Sequence, residues 1–263
     1  MEQRLRHPLS VLALQAAAFW PVWLWYASRV SDGSDNPWCL AALATVLVLL
    51  YTERGEKRTR LDNLWPPIAF LLLYAVTAAF LPPIFGAAVA MLAVGSTLTF
   101  YRRGCFFDPG MWGLLLLSLP LVASLQFYLG YPLRALAGQL TAPLLNLSGF
   151  AVSAQGTVLN WSGRLVEIDA PCSGVHMLWA CGFLTFSLAS VYRLTLLRTL
   201  LAGAGALAAL LLGNVFRTAA LFYVEAGVVA APAWAHTWAG VAAFGLMAAV
   251  ILSHTGRLRE VTL

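Results

Sequence analysis

The sequence predicts an all-α polytopic integral membrane protein of about eight transmembrane helices with both termini in the cytoplasm. Three observations predict it. Of 263 residues, 60% are hydrophobic and only 10% are charged, whereas an ordinary soluble domain is about a quarter charged. The mean hydropathy is +0.78, which leaves too little polar surface to cover a water-soluble globule. Long apolar runs recur along the whole chain, the pattern of a multi-pass membrane protein. Residues 1–263 therefore read as a single membrane domain.

A spanning helix needs roughly 20 apolar residues, with about 17–25 the usual range. Eight segments approach or meet this: 8–30, 37–51, 64–81, 84–101, 111–130, 173–191, 200–223 and 237–252. The second is the weakest, since Asn36–Pro37 and Thr52–Glu53 bound it closely, and the eighth is also short. Pro66 and Pro67 in the third and Pro120 in the fifth would kink a soluble helix, but packed neighbours tolerate them in a bilayer. The first run is rich in Trp, contains Pro21 and shows no small-residue cleavage site, so it is not read as a cleavable signal peptide.

Positive charge sets the orientation. With the N-terminus inside, the inner segments hold Arg4, Arg6, Arg54, Lys57, Arg58, Arg60, Arg102, Arg103, Arg193, Arg198, Arg257 and Arg259, which is twelve of the sixteen Lys and Arg residues. The outer side keeps Arg29, Arg134, Arg164 and Arg217. The same bias explains a net charge of +5 and a pI of about 9.3. No basic patch interleaved with aromatics points to nucleic acid.

One connection is long. Residues 131–172 form an extracytoplasmic segment that leads into the sixth span. Residues 133–147 look like an amphipathic, partly helical stretch on the membrane surface, in contact with lipid. TVLNW and RLVEI follow, joined through Ser162–Gly163, and predict a small β-hairpin.

The hairpin delivers the chain to EIDAPCSGVHML. Asp169 reads as an N-cap and Pro171 fits a first helical turn. Cys172 is then expected in the first turn of the sixth span, where unpaired N–H groups and the helix dipole favour a thiolate. Ser173 and Gly174 are small and would leave the sulfur approachable. A cysteine at a helix start is also, more simply, a small buried residue.

Two further residues bear on that choice. Arg217 lies in the outer third of the seventh span, within GNVFRTAALF. An arginine inside a spanning helix is costly, so it marks a functional site or else snorkels to the head groups. Asn214 is one turn deeper on the same helix face. His236, in PAWAHTW, precedes the eighth span. The alternation of spans puts Cys172, Arg217 and His236 on one side of the membrane. Thiol, imidazole and guanidinium are the parts for nucleophilic acyl transfer: the sulfur attacks, the His moves protons and the Arg stabilises developing negative charge. His176, four residues after Cys172, is the reserve proton carrier. Cys181 reads as packing, and the four cysteines show no metal-ligand spacing.

APCSGVHML, then GNVFR, then an outer His, resembles the exosortase/archaeosortase family of membrane cysteine transpeptidases. The resemblance is carried mainly by residues 111–252. It implies Cys172 as nucleophile, Arg217 behind Asn214 and His236 as partners, with Ser173 and His176 in support, and no cofactor or metal. It implies substrates that are exported proteins with C-terminal sorting tails: a motif such as Pro-Glu-Pro, one spanning helix and a basic cluster. An acyl-enzyme on Cys172 would pass to a second, unidentified nucleophile. The Cys-Ser-Gly form implies a bacterial inner membrane, with the active site on its periplasmic face.

Three rivals make different demands. A transporter in which Arg217 binds an anion needs polar residues continuing deeper along a path, and the sequence shows few. A non-catalytic scaffold for envelope or polysaccharide assembly needs none of Cys172, Arg217 and His236. A simple membrane protease differs from a transpeptidase only in its product.

Overall fold

The computed structural model describes residues 7–31, 33, 37–52, 61, 63–230, 232 and 234–260, with the side chains of 171, 235, 236 and 260 outside that set. Among the described residues the fold is mostly helical: α1 (Pro8–Ala18), α2 (Trp20–Ser31), α3 (Trp38–Thr52), α4 (Trp65–Phe80), α5 (Pro83–Arg103), α6 (Pro109–Leu117), α7 (Val122–Leu147), strands β1 (Val152–Gln155), β2 (Val158–Trp161) and β3 (Arg164–Glu167), a one-turn 3-10 helix (Ala170–Ser173), then α8 (Val175–Val191), α9 (Leu196–Glu225) and α10 (Trp234–Glu260).

The eight expected spans fall on helical segments, but the first is split at Phe19 and the fifth, 111–130, is broken at Ser118–Leu121. By length and apolarity three helices can cross a membrane, α5, α9 and most of α10, or five if the bent pairs α1–α2 and α6–α7 each count once. The remaining three, α3, α4 and α8, are apolar but shorter, at 15, 16 and 17 residues. The α1–α2 pair bends by 67°. Pro21 lacks the N–H that would bond back along the ladder there, and the fully buried Phe19 fills the elbow, its ring 4.8 Å from that of Tyr74. Most of the charge-bearing loop Thr52–Arg60, at 53–60, lies outside the described residues, as do Arg4 and Arg6.

Packing groups the chain into two compact units: Met1–Leu121 with Phe186–Thr199, and Val122–Thr185 with Leu200–Leu263. In the first, α5 ends on Gly104 in the left-handed region, at φ 72°. Asp108 caps α6, its Oδ1 accepting from Met111 N at 2.7 Å, and pairs with Arg103, which also donates to Ser190 Oγ at 3.0 Å. Gly110 sits where a Cβ would stand 2.3 Å from Ser190 N, so α6 meets the end of α8 backbone to backbone.

The second unit departs from expectation in two places. The stretch 133–147 is not a separate surface helix: it continues the 26-residue α7 through Pro132 and Pro143. The break falls earlier, at Ser118–Leu121 around Pro120. The hairpin exists with the expected turn, Ser162 and Gly163 both adopting positive φ (50° and 82°) as a two-residue β-turn demands, but it has a third strand. β1, β2 and β3 form an antiparallel sheet in that order, with Leu159 opposite Ala154 and Val166. β1 is only four residues long and follows the left-handed Gly149, too short to show a period-two pattern.

The buried face of this sheet packs on the C-terminal end of α9. Val152, Leu159, Val166 and Ile168 share a core with Leu221 and Phe222. Phe150 sits 5.3 Å from Trp161 and 5.8 Å from Phe222, edge to face. Arg164 donates to Ala226 O at 2.8 Å and ties β3 to the residue after α9. Phe222→Ala should cost about 3–5 kcal/mol of stability, read as a lower melting temperature of the detergent-solubilised protein; an unchanged melt would show that the sheet does not depend on this contact.

Candidate functional site

Cys172 lies in the one-turn 3-10 helix and not in the first turn of a spanning helix. Gly174, at φ 82°, separates that turn from α8. Asp169 makes no side-chain cap; its backbone carbonyl accepts from Cys172 N at 2.9 Å. The left-handed glycine also breaks the helical register between Cys172 and His176, so the two do not share a helix face as the spacing suggested. His176 opens α8 and is half-buried.

Two carboxamides hold the turn. Asn214 of α9 donates from Nδ2 to the Cys172 carbonyl at 3.2 Å. A Cβ on Gly174 would stand 3.3 Å from that same nitrogen, so the glycine serves both the turn and the close approach of Asn214. From α7, Gln126 accepts from Ser173 Oγ at 3.0 Å and reaches the Ala170 carbonyl with Nε2 at 3.5 Å. Ser173 Oγ in turn accepts the N–H of Val175, the first residue of α8, at 3.4 Å. Sequence reasoning missed Gln126, because a lone Gln in an apolar helix has no motif around it. The available signal was Gly130, one turn on: a Cβ there would meet Gln126 Nε2 at 2.8 Å, so the glycine leaves room for the amide to lie along the helix.

The sulfur's surroundings differ from expectation too. Ser173 and Gly174 do not leave it open; Cys172 is 4% exposed and Ser173 1%. Burial pushes the thiol pKa up, against the lowering expected of a helix start. The Arg217 guanidinium pulls it back down in part, while the carboxylates of Asp169 and Glu225 push it up further. A void of about 20 Å³ touches Cys172, Asp169, Glu167, Thr218 and Glu225, room for roughly one water.

Arg217 projects from α9, half-buried, towards Gly240 of α10: a Cβ on that glycine would stand 3.6 Å from Nε and Nη2. His236 is in the first turn of α10, one turn before Gly240 on the same helix face; its side chain lies outside the described residues. Cys172, Asn214 and Arg217 are thus gathered around one turn, and the backbone of His236 belongs to the helix that faces Arg217. Cys181 is 2% exposed, against Ala206 O and the Met247 sulfur, and packs as expected.

The class these features define is a multi-pass membrane protein with a buried thiol in a clamped turn and an arginine within electrostatic reach. Residues 31–253 match the profile of the transmembrane exosortase family (Exosortase_EpsH). The chain belongs to that family. No curated protein and no solved structure matches it.

Two predictions follow from the charges and the clamp. Alkylation of Cys172, followed by mass spectrometry across a pH series, should show a midpoint above that of an ordinary thiol. Glu225→Gln should move it to lower pH and Arg217→Ala to higher pH; unmoved midpoints would sink this electrostatic account. Gly130→Ala should hold or raise the melting temperature, since Ala favours a helix over Gly by about 1 kcal/mol. It should nonetheless change the alkylation rate of Cys172 in the same direction as Gln126→Ala, because the added methyl displaces the amide.

Proposed function

We propose that the protein is a cysteine transpeptidase that cuts C-terminal sorting tails from exported proteins at the outer face of a bacterial inner membrane. The observation that carries this reading is the grouping of Cys172, Asn214 and Arg217 around one clamped turn, in a chain whose family is that of transmembrane exosortases. All eight apolar helices span the bilayer, with both termini inside and the sheet outside, as the charge distribution favours.

In the proposed reaction the Cys172 thiol gives its proton to His236, and the sulfur attacks the carbonyl carbon of the scissile bond. Arg217 stabilises the charge that develops on the carbonyl oxygen. The C–N bond breaks, His236 returns the proton to the leaving amine, and the tail departs with a new N-terminus. The acyl group remains on sulfur as a thioester. A second nucleophile, with its proton taken by His236, attacks that thioester and regenerates the thiol. Asn214 and Ser173 position the turn, and His176 is the alternative proton carrier.

The transporter reading fares poorly. A cavity of about 510 Å³ does run between α9 and α10, with Arg217 on its wall, but the rest of its lining is Gly, Ala, Leu, Val, Met and Phe. An anion leaving Arg217 would meet no further polar side chain there.

The test is co-expression with a tagged tail-bearing protein from the same genome. Mass spectrometry should find the tail removed and an acyl adduct on Cys172. Cys172→Ala should abolish cleavage and Arg217→Ala reduce it about a hundredfold or more, with Arg217→Lys intermediate. Persistence of cleavage in Cys172→Ala would end the reading. Topology has its own check: Cys105 is exposed, so a membrane-impermeant thiol reagent should reach it only after spheroplasts are lysed, and labelling of intact spheroplasts at Cys105 would invert the orientation.

A further inference from the structure

The three-stranded sheet has two edges, β1 and β3. At β1 the outward N–H of Val152 is taken by Asn146 Oδ1 at 2.7 Å. At β3 the pairing register turns Arg164 and Val166 towards β2, and Ile168 N continues that ladder to Thr157 O at 2.8 Å. The N–H and C=O groups of Leu165 and Glu167 therefore face away from the sheet. Among the described residues these four groups make no hydrogen bond. Leu165 is 71% exposed and Glu167 is exposed as well.

An open edge is a template for another extended chain. Its donors and acceptors repeat every two residues, roughly 6.6 Å. An extended peptide matches that spacing, and a lipid chain has no groups to offer it. The edge also leads to the sulfur: Val166 and Glu167 border the same small void as Cys172, and the chain runs from Glu167 to the clamped turn through only Ile168 and Asp169.

We propose that β3 is the docking strand for the peptide substrate: the extended segment beside the scissile bond pairs with the main chain of Leu165 and Glu167 as a fourth strand, which directs the bond towards Cys172. The proposal rests on the peptidase reading and adds to it the mode of recognition. Recognition through main-chain bonds tolerates varied side chains along the paired segment.

The probe is a synthetic peptide spanning the cleaved region of a tail-bearing protein from the same genome. Leu165→Pro removes one outward N–H at an edge position, where Pro is tolerated. It should raise KM about tenfold while the alkylation rate of Cys172, which reports an intact site, stays at the wild-type value. A peptide with the pairing amide replaced by an ester should lose a similar factor on the unmodified enzyme. Should Leu165→Pro misfold, the ester peptide decides alone. Cleavage of both at wild-type KM overturns the docking strand and leaves the peptidase reading standing. Conversely, Leu165→Cys in a Cys172→Ala background should form a disulfide with a cysteine-bearing copy of the peptide. That readout needs no cleavage, so it separates loss of docking from loss of catalysis; no cross-link above that of a scrambled peptide overturns the proposal.

Discussion

Everything at the site depends on how one short 3-10 turn is held. Four residues of 3-10 helix close few hydrogen bonds of their own, and their geometry is poorer than that of an α-helix. Here the turn Ala170–Ser173 is followed by a left-handed glycine and so gains nothing from α8 by simple continuation. The buried Cys172 carbonyl gains a side-chain donor there, a hydrogen bond worth about 0.5–1.5 kcal/mol net. Gln126 and Asn214 supply donors to the turn from two different helices. Fixing the turn fixes the sulfur, and only a fixed sulfur gives Arg217, Asp169 and Glu225 defined positions relative to it.

The electrostatic balance follows from that fixing. Desolvation is the largest influence on the Cys172 thiol and favours the protonated form; Arg217 opposes it, and two carboxylates add to it. A resting thiol of this kind is a poor nucleophile and a poor target for stray oxidants, since both reactions need the thiolate. Arg217 alone does not reverse the balance. In the proposed reaction the remaining shift comes from proton transfer to a neighbouring base, which is the part assigned to His236.

The large features were legible because their physics is local. Apolar runs identify themselves, and the expected spans fall on helical segments. Ser162–Gly163 announced its turn because a two-residue hairpin needs positive φ, at both central residues in the form found here, and Gly supplies one without strain. What failed was non-local or marginal. The extent of α7 was misjudged: the fifth span was ended at 130 and a separate surface stretch begun at 133, whereas one helix passes through Pro132 and Pro143. The state of Cys172 was misjudged for a related reason. The Asp-Ala-Pro-Cys order suits an α-helical first turn, and only the φ of Gly174 shows that the helix begins afterwards. Gln126 has only Gly130 beside it as a local signal, since its partners are 44 and 47 residues away in sequence.

A small sheet is an unusual appendage for a helical membrane protein, and its energetics suggest why it is retained. Three short strands have little independent stability, and this sheet is secured by Phe222 and Leu221 of α9, the helix that also carries Asn214 and Arg217. One helix thus anchors the sheet, clamps the cysteine's turn and supplies the cation. Any force on β3 is transmitted through Ile168 and Asp169 directly into that turn, while Arg134 of α7 holds the Ile168 carbonyl at 3.3 Å and limits how far it can move. In the proposed reaction, a peptide paired to β3 would displace the single water's worth of space beside the sulfur with its own carbonyl. The peptide would then meet a sulfur that is already shielded from bulk water. In the proposed reaction the same exclusion of water would disfavour hydrolysis of the thioester, the condition under which a second nucleophile could compete with water for the acyl group.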